Sequence, residues 1–254
     1  MRPILLKIKP TSGFSYFLHL ALVLILPVAV YILVALNFVQ LALSIIVLSK
    51  WRMLAVKPRF WAANIRANAI DLMVGLSVVV FMTHSASVPV RLGWALLYAI
   101  WLLVIKPASG ILMVTAQAFT GQLFALMALY LAWASGPVWG LTLLTGLFCF
   151  LAARHYLEAF DEPYAKLLAY IWSYFAAALA WLCSRWLLFY PHNSPNGISF
   201  PALMLSFLGY GLALLYYFDQ NDKLNKGLKR QFIFVMIAVV IVILAFSDWG
   251  DKVV

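Results

Sequence analysis

FSYFLHLALVLILPVAVYILVALNFVQLALSIIVLSK, residues 14–50, holds no charged residue before its last position, and only His19, Asn37 and Gln40 are strongly polar. A helix rises about 1.5 Å per residue, so about 20 residues cross a hydrocarbon core of about 30 Å and a single span leaves much of this stretch over. A tight helical hairpin at Leu36 and Asn37 uses the excess. It also returns the chain to its starting side, so that Arg2, Lys7 and Lys9 share a face of the membrane with the basic cluster from Lys50 to Arg66.

The rest of the chain repeats that pattern of apolar run and basic gap. Nine apolar segments can be drawn, at 14–35, 38–50, 69–83, 92–105, 109–134, 138–153, 165–189, 201–218 and 232–247. With the N-terminus inside, fifteen of the eighteen Lys and Arg residues fall in inner gaps, and only Arg91, Arg185 and Lys252 lie outside. Cationic loops are retained on the cytoplasmic side during insertion, so this asymmetry sets an orientation. The expected fold is an all-α polytopic integral membrane protein, a compact bundle of about nine transmembrane helices (range seven to nine) with short loops in one domain, 1–254. The segment PRFWAANIRAN, residues 58–68, mixes aromatic, basic and amide residues as an interfacial amphipathic helix does. The expected location is a bacterial-type cytoplasmic membrane, with the N-terminus cytoplasmic and the C-terminus extracytoplasmic.

Composition removes the main alternatives. With 66% hydrophobic and 10% charged residues, there is too little polar surface to cover a water-soluble globule of 254 residues. The net charge of +10 comes from residues that flank apolar runs, which points to anionic lipid headgroups at the inner surface and away from nucleic acid. Cys149 and Cys183 sit in separate apolar segments at no metal or redox spacing. No phosphate loop, nucleotide fingerprint or hydrolase elbow is present, and no cofactor is implied.

The polar residues inside the runs carry what functional signal there is. Asn64, Asn68, Asp71 and Gly75 recur at helical steps and would share one face of a continuous helix, with Asp71 either paired to Arg66 or another basic neighbour, or ionisable in an inward-opening cavity. Gln117, Thr120 and Gln122 on the fifth run, with Thr145 on the sixth, either hold helices together or line a polar pathway. His155, Glu158 and Glu162 stand at i, i+3 and i+7, one side of a continuing helix, where they could handle protons or ions. The alternative is that Glu158 pairs with surface cations and Glu162 caps the next helix. Arg185, near the outer end of the seventh run, snorkels or binds an anion. The apolar run 232–247 faces lipid, a second copy or a membrane partner. The leading functional expectation is binding or transport of a small solute or lipid within the bundle. A non-catalytic scaffold subunit is the alternative, and an intramembrane lipid-modifying enzyme a weaker one.

Overall fold

The computed structural model describes residues 13–133, 136–185 and 199–245. These residues form ten α-helices and no strand: α1 (Phe14–Ala35), α2 (Val39–Leu48), α3 (Trp61–Ala67), α4 (Ala69–His84), α5 (Val88–Ile100), α6 (Ile111–Ala132), α7 (Val138–Ala159), α8 (Ala165–Arg185), α9 (Phe200–Gln220) and α10 (Lys226–Ala245). A π-helical turn, Trp101–Ile105, continues α5.

Each of the nine apolar segments contains a helix among the described residues, but these are not all of spanning length. Five described helices are long and apolar enough to cross a membrane: Val88–Ile105, Ile111–Ala132, Val138–Ala159, Ala165–Ser184 and Phe200–Gln220. Pro58–Ala67 and Ala69–His84, bent by 61° at their junction, would make a sixth if taken as one broken span. The arms Leu20–Ala35 and Val39–Leu48 are shorter. At about 1.5 Å per residue the second arm covers only about half of a hydrocarbon core, so apolar length alone does not make each of the nine runs a span. The chain is an integral membrane protein built as a helical bundle.

The hairpin at Leu36 and Asn37 is present. The backbone N–H of Phe38 donates to the Leu33 carbonyl at 2.8 Å and that of Asn37 to Val34 at 3.0 Å, closing α1, while Asn37 adopts a φ of 62°. Asparagine is among the few residues that take this left-handed conformation readily, and it reverses the chain there. Both arms then pack on α4.

The polar stripe from Asn64 to Gly75 does not lie on one continuous helix. The chain breaks between α3 and α4, with Asn68 at the junction and its side chain donating to the Asn64 carbonyl at 2.9 Å. The Trp61 indole N–H is shared by the carbonyls of Leu54 (3.1 Å) and Val56 (3.0 Å), which holds α3 back on the preceding turn. After the break α4 runs through the middle of the core, packed by α1, α2, α5, α6 and α7. Gly75 lets it do so: a Cβ there would come within 2.9 Å of both the Ile46 side chain and the Tyr98 hydroxyl.

The most extensive helix pair is α7 with α8. Ala169, Ala176 and Ala180 are wholly buried, and Ser173 donates its hydroxyl to the Gly146 carbonyl at 2.8 Å. Small side chains let backbones approach where hydrophobicity gives no preference for protein over lipid. On its other side α8 barely meets α9, which packs along α6 and carries α10. That mismatch leaves a cleft.

Candidate functional site

The polar residues of the bundle collect at one end, where α2 and the π turn finish and α4 and α6 begin. Asp71, in the first turn of α4, accepts from Lys50 Nζ at 2.7 Å and from Lys106 Nζ at 2.5 Å, both on Oδ2. Its Oδ1 accepts from Trp101 Nε1 at 3.0 Å. The carboxylate therefore ties the ends of α2 and the π turn to the start of α4. Burial disfavours both ammonium charges. At Lys106 the Asp71 carboxylate more than offsets it and holds the group above the ordinary lysine range; at Lys50 burial wins, with the Lys106 charge adding to it, and the group is pushed below that range. Arg66, one of the partners expected for Asp71, goes elsewhere.

Gln117 stands one layer further in. Its amide nitrogen lies 2.6 Å from the Ile105 carbonyl and 2.9 Å from that of Ala108, the groups left open where the π turn ends. With its N–H pair committed to these acceptors, Oε1 can only accept. It lies 3.2 Å from His155 Nε2, so that ring nitrogen carries the hydrogen. Gln117 is buried and fully used as a helix cap, and it lines neither of the two openings described below.

The three acid and base residues read as one face of α7 are dispersed. The helix ends at Ala159, and Asp161 turns the chain with a φ of 51°, so Glu162 lies beyond it. His155 binds Gln117. Glu158 takes Arg154 Nε at 2.8 Å and Arg66 Nε at 3.1 Å. Glu162 accepts from the Tyr216 hydroxyl and, at 3.2 Å, from the backbone N–H of Tyr164 just before α8. No set of three His, Cys, Asp or Glu side chains able to hold a metal occurs among the described residues.

Two openings lie between the helices. The first, of about 420 Å³, is the cleft between α8 and α9, floored by α6 and α7. Ile171, Trp172, Phe175, Tyr210 and Leu212 form its sides, and Thr115, Gln122, Ser206 and Tyr216 are its polar members. Gln122 donates to the Leu205 carbonyl at 3.1 Å, while the Ser206 hydroxyl is buried with no hydrogen-bond partner. The second opening, of about 790 Å³, lies between α2, α4, α6 and α7 and is apolar apart from Ser44 and Ser77.

Of the remaining residues singled out by sequence, Thr145 is wholly buried facing Tyr130 of α6. Thr120 is half-buried and borders neither opening. Arg185 ends α8, and its side chain lies outside the described residues, as do the outer loop 190–198 and Lys252. Lys50, Lys106 and Trp101, the partners of Asp71, are the residues that sequence reasoning missed. Compared with protein-family models, with curated proteins and with solved structures, the chain matches none of them.

Proposed function

We propose that the protein binds a lipid-like molecule in the cleft between α8 and α9, admitting it sideways from the bilayer. The observation that carries this reading is a cavity of about 420 Å³ with aliphatic and aromatic walls and a few converging polar groups. That is the usual make-up of a small-molecule site. Gln122 and Ser206 supply orienting groups at its depth, and the lateral opening suits a ligand already dissolved in the membrane. A polar pathway past Gln117 is not part of this proposal, because that amide is spent on the end of α5. The bundle sits with its basic end toward the cytoplasm and its C-terminus on the far side, a reading supported by the fifteen-to-three distribution of cations.

Photocrosslinking with an acyl chain carrying a diazirine tests the site. Adducts should map to Trp172, Phe175 and Tyr210. The Gly209→Leu variant should lose most of them, because a side chain at 209 projects toward Trp172 and Gln122. Adducts spread evenly over all helices would overturn the proposal. For orientation, a cysteine at position 226 should resist membrane-impermeant maleimide in intact cells; labelling there would reverse the topology.

A second reading is favoured by α10, which packs substantially only on α9 and exposes Phe234, Val235, Ile237, Ile241 and Val242. In it the protein is a scaffold whose last helix docks a membrane partner or a second copy. Native mass spectrometry from mild detergent should then give a complex that Phe234→Ala with Ile241→Ala dissolves, and a monomer throughout would rule it out.

A further inference from the structure

The second opening has a body and a head of different character. Its body, formed by Leu43, Val47, Leu72, Leu76 and Phe148, is apolar along its length. Its head at the basic end is bordered by Ile65 and Leu151. Ile65 is the sequence neighbour of Arg66, and Leu151 stands one helical turn before Arg154. These two arginines do not line the groove; next to its head they share the single carboxylate of Glu158, leaving a net positive charge beside the mouth.

Two details distinguish this charge from a paired surface salt bridge. Arg66 and Glu158 are each more than one-third exposed, at 36% and 38%, and Arg154 is 17% exposed, so a ligand from the membrane surface reaches Arg66 first. Arg66 Nε lies within ion-pair distance of Glu158 yet is not aligned to donate to it, and its buried N–H has no hydrogen-bond partner. The guanidinium fork matches a phosphate in two-pronged fashion, and an arginine at a membrane boundary is the residue suited to that task. Trp61 and Phe60 are exposed on the segment that precedes Arg66, at the level where aromatic side chains meet headgroups.

We infer that this groove seats an acyl chain of an anionic phospholipid whose phosphate rests on Arg66 and Arg154. Charge complementarity selects the occupant. A neutral hydrocarbon leaves the surplus charge unmet, and a zwitterionic headgroup brings a cation of its own to a mouth that already holds two. The site is separate from the cleft between α8 and α9, so either can fail without the other.

Native mass spectrometry of the full-length protein, with dioleoyl phosphatidylglycerol and dioleoyl phosphatidylcholine offered in equal amounts, tests it. The wild type should retain phosphatidylglycerol preferentially. Arg66→Gln with Arg154→Gln should lose that preference, and Arg66→Lys with Arg154→Lys should keep only part of it. Leu151→Trp, which fills the groove without changing charge, should lose bound lipid, whereas Gly209→Leu should leave the preference intact. If the double glutamine variant fails to fold, Leu151→Trp and the lysine pair still decide. Equal retention of the two lipids by the wild type would overturn the assignment. So would a preference that survives Leu151→Trp, which would mark surface charge alone. Displacement of the lipid by millimolar inorganic phosphate would show a soluble-anion site and overturn it as well.

Discussion

Asp71 and Glu158 each hold two cations with one carboxylate at the same end of the bundle, and their surroundings give the two clusters opposite uses. The Asp71 side chain is 10% exposed, as is that of Lys50, while Lys106 is 39% exposed, and the other Asp71 oxygen takes the Trp101 indole. Glu158 is 38% exposed and is met by side chains alone. In a low-dielectric setting an unpaired charge is so costly that the buried Asp71–Lys50 pair becomes structural. Near water or headgroups the same set is weakly coupled and free to exchange partners. Burial, more than the identity of the residues, separates a fastening from a landing place for a ligand.

Removing the carboxylate breaks the buried member of the pair most directly. Asp71→Ala leaves Lys50 without a counter-charge and Trp101 without an acceptor, and should destabilise the protein by about 3–5 kcal/mol, the cost of breaking a buried ion pair from one side. Reversible unfolding in mixed micelles measures this. Lys50→Met in the same chain should recover part of the loss, because the strandable charge is gone. A full-sized loss that the second change does not relieve would mean that Asp71 acts through something other than its charge.

The close packing that keeps Asp71 dry can be loosened without touching any charge. Gly75 lies one turn further along α4, and a larger side chain there must displace Ile46 or Tyr98. Gly75→Val should cost about 1–3 kcal/mol by overpacking. It should also raise solvent access at Lys50, read as faster chemical modification of that amine. Unchanged Lys50 reactivity alongside the stability loss would show that burial of the cluster does not depend on this contact.

Much of the architecture was legible because it is written locally. The nine helical segments follow from apolar length, and the hairpin from Asn37 in a run too long for one span. The break at Asn68 was not, since asparagines at helical steps look alike on a straight helix and on one bent by 61°. The partners of Asp71 were hidden for another reason. Lys50 and Lys106 lie 21 and 35 positions away, and pairing them needs the packing order of α2, α4 and α5. Gln117 was visible as an unusual mid-membrane amide, but its task depends on the π turn, whose i to i−5 bond from Lys106 to Trp101 has no sequence signature here. The cleft between α8 and α9 is the absence of a contact, and only a folded bundle reveals it.

Gln117 bridges the dry cluster and the exposed one, since it caps the backbone beside Lys106 and accepts from His155, one turn before Glu158. Gln117→Leu should cost about 0.6–1.7 kcal/mol, the range of hydrogen bonds between membrane helices. Lipid retention should survive it. A stability loss with lipid retention intact fits a cap, whereas loss of binding at unchanged stability would restore Gln117 to a ligand pathway.

The smallest effect on stability belongs to Glu158, where the comparison is sharpest. Glu158→Gln removes the only acid between Arg66 and Arg154, yet the carboxylate itself and Arg66 are more than one-third exposed, so the change should alter stability by less than about 1 kcal/mol. The same change doubles the surplus positive charge at the groove mouth, from one to two for the trio. Retention of phosphatidylglycerol should therefore rise, and rise most at low ionic strength, where screening is weakest. The two readouts move apart only if the carboxylate is a counter-ion that a phosphate can replace. A stability loss as large as that of Asp71→Ala, with weaker lipid retention, would make Glu158 a second fastening and erase the distinction between the two clusters.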